Sequence, residues 1–355
     1  MPDWTSTMQQ TFEYYIVDPG TWKDVKKIDN VISSSISRDI EAETLGSASI
    51  TMSNSLGECY IRIYLVTIQN GIRERFPLGT YMIQTPRYSF DGKIRNISLD
   101  AYTPLIELKE KHPPIGYSLM KNTNIMESAY MIMREQMRAP VGRSDKDDTL
   151  FTNFVANLDD TWITFLRDLV ANANMRIELD ELGRVIFAPK QELETLQPIW
   201  TFDTNNSSIL YPNFDIEHDL YGIPNEVEVV YSNSNMTSSV TAVNDNPNSP
   251  VSTVNRGRRI TYRITNPEVI GNPSEQQLKD YAERVLRSMS SIAYTVSYKH
   301  GYCPVRIGDC VRLNYENAGL KNVKAMVISQ TIDCTPGCPV TEKAIFTSNL
   351  WEDDF

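Results

Sequence analysis

Three classes of function are hard to build from what this sequence omits. Histidine occurs three times and cysteine five times in 355 residues. His112, His218 and His300 stand in unrelated surroundings, with no serine, cysteine or carboxylate spaced to complete a triad and no H-E-x-x-H helix. They are expected to be exposed or capping residues. Neither a G-x4-G-K-[ST] loop nor a G-x-G-x-x-G turn is present, so a nucleotide site has no visible support and no cofactor is expected. No apolar run approaches the ~20 residues that span a bilayer, and MPDWTSTMQQTFEYY lacks the basic and apolar regions of a secretory leader. The chain is therefore expected to be made and used in cytosol without membrane insertion. Its net charge of −11 argues against phosphate neutralisation as the main task. An acidic surface suits a solvated particle, or a channel wall that must not hold DNA.

The scarce cysteines also bear on metal binding. Their number is odd and too small for a disulfide framework at this length. Cys303 and Cys310 are too far apart for a zinc knuckle, whereas Cys334 and Cys338 flank Pro336-Gly337, a good turn between two strand-like runs. Free thiols are the leading reading. A disulfide between Cys334 and Cys338, or a weak metal site there, remains as the alternative. Adjacent carboxylates such as Asp147-Asp148, Asp159-Asp160 and Asp353-Asp354 point in different directions and read as solvated.

What the sequence does carry is strand and helix periodicity, on a 41% hydrophobic chain long enough for two or three cores. In GSASITMS, Ala48, Ile50 and Met52 share a face; in YIRIYLV, Ile61, Ile63 and Leu65 oppose Tyr60, Arg62 and Tyr64; in NISLDAY, Ile97, Leu99 and Ala101 point inward. Asp91-Gly92 predicts a tight hairpin. This alternation is antiparallel, with the second face solvated or docked on something. After LKEKHPP the period becomes helical. Asn124 and Glu127 resemble a capping box ahead of Ile125, Ala129, Ile132 and Met133, and Trp162, Phe165, Leu166 and Leu169 mark a second helix after Thr161. A hairpin around Asp180 to Gly183 completes a compact α+β module.

Strands return after residue 206. Val227, Val229 and Tyr231 share one face, as do Tyr294, Val296 and Tyr298, and Val311, Leu313 and Tyr315. Between them, Ser232 to Asn255 is so rich in Ser, Asn and Pro that a mobile loop or irregular excursion is expected. Pro273-Ser274 opens a strong helix, in which Ser274 and Gln277 cap one another and Leu278, Tyr281, Ala282, Val285 and Leu286 form the apolar stripe. The expected class is α+β, mainly β. The domains are a first β domain at 1–110, an α+β module at 111–205, a second β domain at 206–235 plus 292–350, and a loop and helix insertion at 236–291.

RFPLGTYMIQTPRYSFDGKIRNISLDAYTPLIELKEK, TWITFLRDLVANANMRIELDELGRVIFAP, IPNEVEVVY and CPVRIGDCVRL, taken in this order, resemble the baseplate hub proteins of contractile phage tails, including those of tailocins and defective prophages. The resemblance spans most of the chain; each motif is strand and turn grammar, and their order is the specific part. It implies two antiparallel β-barrel tube domains per chain and a homotrimer that adapts a sixfold tail tube to a threefold central spike while lining a DNA channel. The implied partners are the tube protein, the spike, other baseplate proteins and passing DNA contacted without sequence specificity. The implied place is the virion baseplate, with assembly in the host cytoplasm.

On this resemblance, Gly79, Thr80, Tyr81 and Ile83, with Gly308, Asp309, Val311 and Leu313, are candidates for ring contacts. The helices at 124–138 and 161–173 are expected to buttress the outside or dock neighbouring baseplate proteins, with Trp162 and Phe165, both on the second, as candidates for those contacts. The competing reading makes both strand stretches ordinary core of a single chain. No catalytic residue is assigned. Two other functions remain as alternatives: a distal-tail, carbohydrate-recognising host-binding module, and a tail-associated cell-wall hydrolase, for which the run to NLWEDDF after the last strand is expected to leave no room.

Overall fold

A computed structural model describes the chain except for Met1, Ser55, Asp91, Lys93, Ile94, Gln191, Glu192, Glu194, Asn206, Asp219, Leu220, residues 233–236 and 266–273, Ser290 and residues 350–355. The expected turn residue Asp91, the helix-opening Pro273, the paired Asp353-Asp354 and most of the NLWEDDF run thus lie outside the described residues. The chain divides into two compact units, Met1–Phe214 with Ser297–Ala344, and Asp215–Val296 with Ile345–Phe355. Among the described residues no helix is long and apolar enough to cross a membrane.

The chain opens with seven strands: β1 (Gln9–Asp18), β2 (Lys23–Ile28), β3 (Val31–Asp39), β4 (Gly46–Met52), β5 (Tyr60–Gln69), β6 (Ile72–Phe90) and β7 (Arg95–Tyr102). The middle segment holds α1 (Ile106–Lys109), β8 (Ser118–Leu119), α2 (Ile125–Gln136), β9 (Phe154–Val155), α3 (Trp162–Ala171), β10 (Met175–Leu179) and β11 (Val185–Pro189). β12 (Trp200–Phe202) and β13 (Leu210–His218) follow. Next come β14 (Glu226–Ser232), β15 (Thr237–Val243), α4 (Thr253–Arg256), β16 (Thr261–Ile264) and α5 (Glu275–Met289). The chain closes with β17 (Ser291–Gly301), β18 (Cys310–Tyr315), β19 (Leu320–Asp333) and β20 (Pro339–Asn349).

The fold is mainly β. Its pairing differs from two separate barrels: strands run in one path, β13-β17-β20-β19-β3-β4-β7-β6-β5-β1-β2, with β12 and β18 attached beside β19. The join between the early and late strands is β19 on β3, where Ile332 faces Ile36. Among the described residues the path is open. Period-two patterning specifies which side chains share a face and says nothing about the partner strand or about closure, so this join was invisible in the sequence. At the β2 edge, Lys23, Lys26 and Lys27 are exposed, the kind of charge that discourages further pairing.

Apolar alternation places the core as expected. Ala48, Ile50, Met52, Ile61, Ile63, Leu65, Ile97, Leu99 and Ala101 all belong to one buried cluster. β5 departs from half-polar alternation because every residue from Tyr60 to Thr67 is buried. Its second face is the docked kind: Trp22 packs edge-on against Tyr60, 4.9 Å between ring centres, and the same cluster contains the middle segment's Leu105, Met133, Leu166 and Val185. Long β6 reaches β5 with one half and β7 with the other, and a register shift in each ladder bends it.

In the second unit, β14 lies between β15 and β16, and α5 packs Leu278, Ala282 and Leu286 against Val227, Val229, Val240 and Ala242. Ser274 and Gln277 cap each other reciprocally, at 2.9 and 3.2 Å. The Ser232 to Asn255 stretch, expected as a mobile loop or an irregular excursion, holds regular structure, because its described residues include β15 and the start of α4. Its polar groups are satisfied within it and by the preceding Asn225. Asn225 donates to the carbonyls of Val251 and Arg258, Asn244 donates to Ser249 Oγ, and Asn255 donates to the carbonyls of Pro247 and Ser249. Composition marks such a stretch as polar; it does not reveal that the polarity is spent internally.

His300 corrects an expectation. Instead of exposed or capping, it is fully buried, with Nδ1 2.6 Å from the Gly301 carbonyl, Nε2 3.3 Å from Glu342 Oε1, and Cys303 Sγ 3.9 Å away. Glu342, also fully buried, accepts from Tyr298 Oη and Gln330 Nε2. The two residues are far apart in sequence and meet because β17 and β20 are sheet neighbours. Glu342→Leu would leave Tyr298 Oη and one of the Gln330 Nε2 hydrogens without an acceptor, the other being held by the Val305 carbonyl, and is expected to cost about 3–5 kcal/mol of unfolding free energy, read by urea denaturation.

Candidate functional site

One residue of each stretch singled out for ring contacts meets the β10–β11 hairpin, Thr80 at its tip and Gly308 at Arg176. Leu179 pairs with Val185, Gly183 N donates to Asp180 O at 2.9 Å, and the Asp180 carboxylate accepts from the Leu182 and Arg184 amides. This turn, held by Asp180, leaves the Leu182 carbonyl projecting from the tip. Three donors from the large sheet meet it: Trp22 Nε1 at 2.8 Å, Thr80 Oγ1 at 2.9 Å and Arg62 Nη2 at 3.2 Å.

The donors are themselves fixed. Arg62, 4% exposed, also gives Nε to Thr80 Oγ1 at 2.9 Å and Nη1 to Asp24 Oδ1 at 2.8 Å. Asp24 accepts in addition from Tyr64 Oη at 2.7 Å. A buried guanidinium is tolerated only where its charge is paired and its N–H groups are satisfied, and here both conditions hold. Gly183 (φ +75°) completes the fit: a Cβ there would lie 2.8 Å from Thr80 Cβ. A second anchor ties the same segment down, where Glu107 on α1 accepts from Tyr60 Oη and from the Arg138 amide, each at 2.7 Å.

On the other side of the hairpin, Arg306 donates to the Leu179 carbonyl at 2.8 Å and pairs with Glu181 at 2.6 Å. Gly308 (φ +88°) admits Arg176, whose guanidinium would lie 2.5 Å from any Cβ at that position. Asp309 accepts from the Arg306 amide at 2.8 Å, while burial raises its carboxyl above the ordinary range. Between these walls lies a cavity of about 520 Å³ bounded by β3, β6, α3, the hairpin and the Arg306 turn.

Thr80, Tyr81 and Ile83 are at most 3% exposed, and Val311 and Leu313 are fully buried, all within a single chain. Tyr81 covers Gly79, where a Cβ would sit 2.3 Å from the tyrosine hydroxyl. Trp162 and Phe165, the candidates for contacts to other proteins, are 5% and 1% exposed and pack with Tyr117 and Phe154 inside the middle segment. The apolar surface of that segment is made by other residues, above all Ile115 at 91%, Phe151 at 86% and Leu158 at 86% exposure. Periodicity gave no signal for these three, because none belongs to a helix or a strand.

Cys334 and Cys338 are free, buried thiols in the sheet core, and burial pushes Cys334 up to about 11. Among the described residues no group of three or more His, Cys, Asp or Glu side chains is placed to hold a metal. Sequence reasoning missed Trp22, Leu182, Arg38, Arg176 and Arg306. A backbone carbonyl acceptor leaves no trace in residue type, and isolated arginines carry no spacing signal.

Over the whole chain, the arrangement matches solved structures. A tail protein from Neisseria meningitidis MC58 superposes with a TM-score of 0.63 at 12% identity, covering 96% of this chain and 98% of that one. The chain has the fold of these tail proteins. The 43 kDa tail protein of prophage MuSo2 from Shewanella oneidensis gives a TM-score of 0.61 at 12% identity, covering 94% and 98%. Prophage tail protein gp18 from Listeria monocytogenes EGD-e gives 0.51 at 11% identity, covering 94% of each chain. No protein-family model and no curated protein matches the sequence. Because this tail-protein fold extends over nearly the full length of both partners, both units described above belong to the shared architecture.

The hairpin clamp makes a direct prediction. Thr80→Val, nearly isosteric, removes the donor to Leu182 and an acceptor of Arg62, and is expected to cost about 2 kcal/mol. Gly183→Ala is expected to cost a similar amount through strain and contact with Thr80. Since both loosen one contact, the double variant should fall short of the sum when measured by denaturant unfolding.

Proposed function

We propose that the chain is a structural protein of a phage-type tail baseplate, acting as a trimeric hub that adapts a sixfold tail tube to a threefold central spike and lines the channel through which DNA passes. The observation that carries this reading is the near full-length match to tail proteins in fold. The net charge of −11 supports a channel that does not retain DNA. A non-enzymatic role is supported by the hairpin's carboxylates at the cavity, Glu178, Asp180 and Glu181, each held by an arginine, at 2.6 Å from Arg176, 2.5 Å from Arg184 and 2.6 Å from Arg306, while the remaining lining carboxylate, Asp168, is exposed.

In this reading the ring candidates, the buried Gly79, Thr80, Tyr81, Ile83, Gly308, Val311 and Leu313 with the half-buried Asp309, serve assembly by fixing the strands and the hairpin that carry neighbouring surfaces. Contacts to other baseplate proteins fall to exposed apolar residues of the middle segment, not to Trp162 and Phe165. Aspartate at Ile83 or Leu313 would disrupt the core of one chain, so loss of assembly in those variants would not identify a ring surface.

Light scattering across a concentration series, alone and with the cognate spike protein, tests the proposal. A threefold mass, alone or with the spike, is expected. A concentration-independent monomer that ignores the spike would overturn it. In pull-downs with baseplate proteins, Phe151→Ser with Leu158→Ser is expected to weaken capture while leaving thermal unfolding within a few degrees of the parent, since exposed substitutions typically change stability by no more than about 0.5 kcal/mol.

A further inference from the structure

The cavity beside the hairpin has a feature the assembly reading does not use. At about 520 Å³ it falls within the range of roughly 300–1,000 Å³ typical of small-ligand sites. Part of its wall is apolar, with Leu45, Leu78 and Ile177 all buried. Lys190 and the exposed Asp168 also line it, and its arginines divide into two kinds. Arg176 and Arg306 are matched by Glu178 and Glu181, each at 2.6 Å. Arg38 and Arg167 have no carboxylate within ion-pair distance among the described residues.

The partners of those two arginines are neutral. Arg38 donates to the Leu78 carbonyl at 2.6 Å and to Gln330 Oε1 at 3.2 Å, and it lies against the Tyr81 hydroxyl. Arg167 donates to the Ala42 carbonyl at 2.7 Å, and burial lowers its pKa. Burial also holds the Tyr81 hydroxyl up at about 12, so at neutral pH it is an uncharged donor. A guanidinium offers five N–H groups, and both arginines therefore keep donors for an incoming acceptor. Their counter-charges, Glu181 for Arg38 and Glu43 for Arg167, act only from beyond ion-pair distance, and an anion delivered on an apolar body would supply a direct partner while filling the apolar wall.

We infer that this cavity is a binding site for a carboxylate carried on an apolar body, with Arg38, Arg167 and the Tyr81 hydroxyl around the anionic head and Leu45, Leu78 and Ile177 against the body. The inference does not depend on the trimeric hub reading. Two sources share this chemistry, a free organic acid and the C-terminal end of a neighbouring polypeptide.

Isothermal titration of the full chain distinguishes them, using octanoate, 1-octanol, and a short peptide ending in leucine as the free acid or as its amide. Saturable binding of at least one acid is expected, with a Kd below about 1 mM, together with at least tenfold weaker binding of its uncharged counterpart. Octanoate alone would assign the site to a small acid, and the peptide acid alone would assign it to a chain end. Arg38→Gln is expected to abolish binding. Because Arg38 also ties Leu78 to Gln330, Arg167→Gln serves as the second variant, with an expected loss of about fivefold or more from one charge-assisted contact. Equal binding of acid and uncharged probes, no saturable binding of either acid, or unchanged affinity in Arg167→Gln would each overturn the inference.

Discussion

A single backbone carbonyl, that of Leu182, organises much of the first unit. Its three donors come from the β1–β2 turn, from β5 and from β6, so one acceptor gathers three segments of sheet around the tip of a hairpin that lies far along the chain. A carbonyl has two lone pairs, and three approaching donors saturate it. The same contact settles Arg62, which could not remain buried in the second face of β5 without Asp24, Thr80 and the hairpin to take its N–H groups. If the hairpin were withdrawn, Arg62 and Trp22 would both lose an acceptor that water would have to replace.

From this constraint follows the way the middle segment is carried. It is no free appendage: Glu107 fixes its start, Leu182 its hairpin tip, and Arg306 and Gly308 hold the hairpin from the side of the late strands. The apolar core of the segment, with Trp162 and Phe165 at its centre, continues into Tyr60, Met82 and Trp22 of the sheet. The segment is thus joined to the sheet through packed side chains and satisfied polar contacts rather than through a linker.

Much of the fold was legible in the sequence, and the limits have physical causes. Faces were legible wherever burial is one-sided, as for Ile50, Leu99 and Ala282, since periodicity encodes burial directly. Helix starts at Asn124 and Ser274 were legible because capping is local. The pairing of β19 with β3 was not, because partner choice in a sheet depends on distant residues. Likewise Ser232 to Asn255 reads as a mobile loop or an irregular excursion, because composition cannot distinguish polar side chains bound to water from polar side chains bound within their own segment. At the candidate site, Gly79, Thr80, Gly308 and Asp309 were picked out, yet the hairpin they surround was read only as a local turn. The residues completing the site, Trp22, Arg38 and Arg306, become neighbours solely through the tertiary fold.

The central claim is that the hairpin and the sheet form one cooperative body held through Leu182, and native-state hydrogen exchange measures this directly. The account predicts that the cross-strand amides of β10 and β11 are protected to the same degree as those of β5 and β6, and open only with the sheet. Hairpin amides that exchange freely while β5 and β6 remain protected would contradict it, and would make the middle segment an independently opening part.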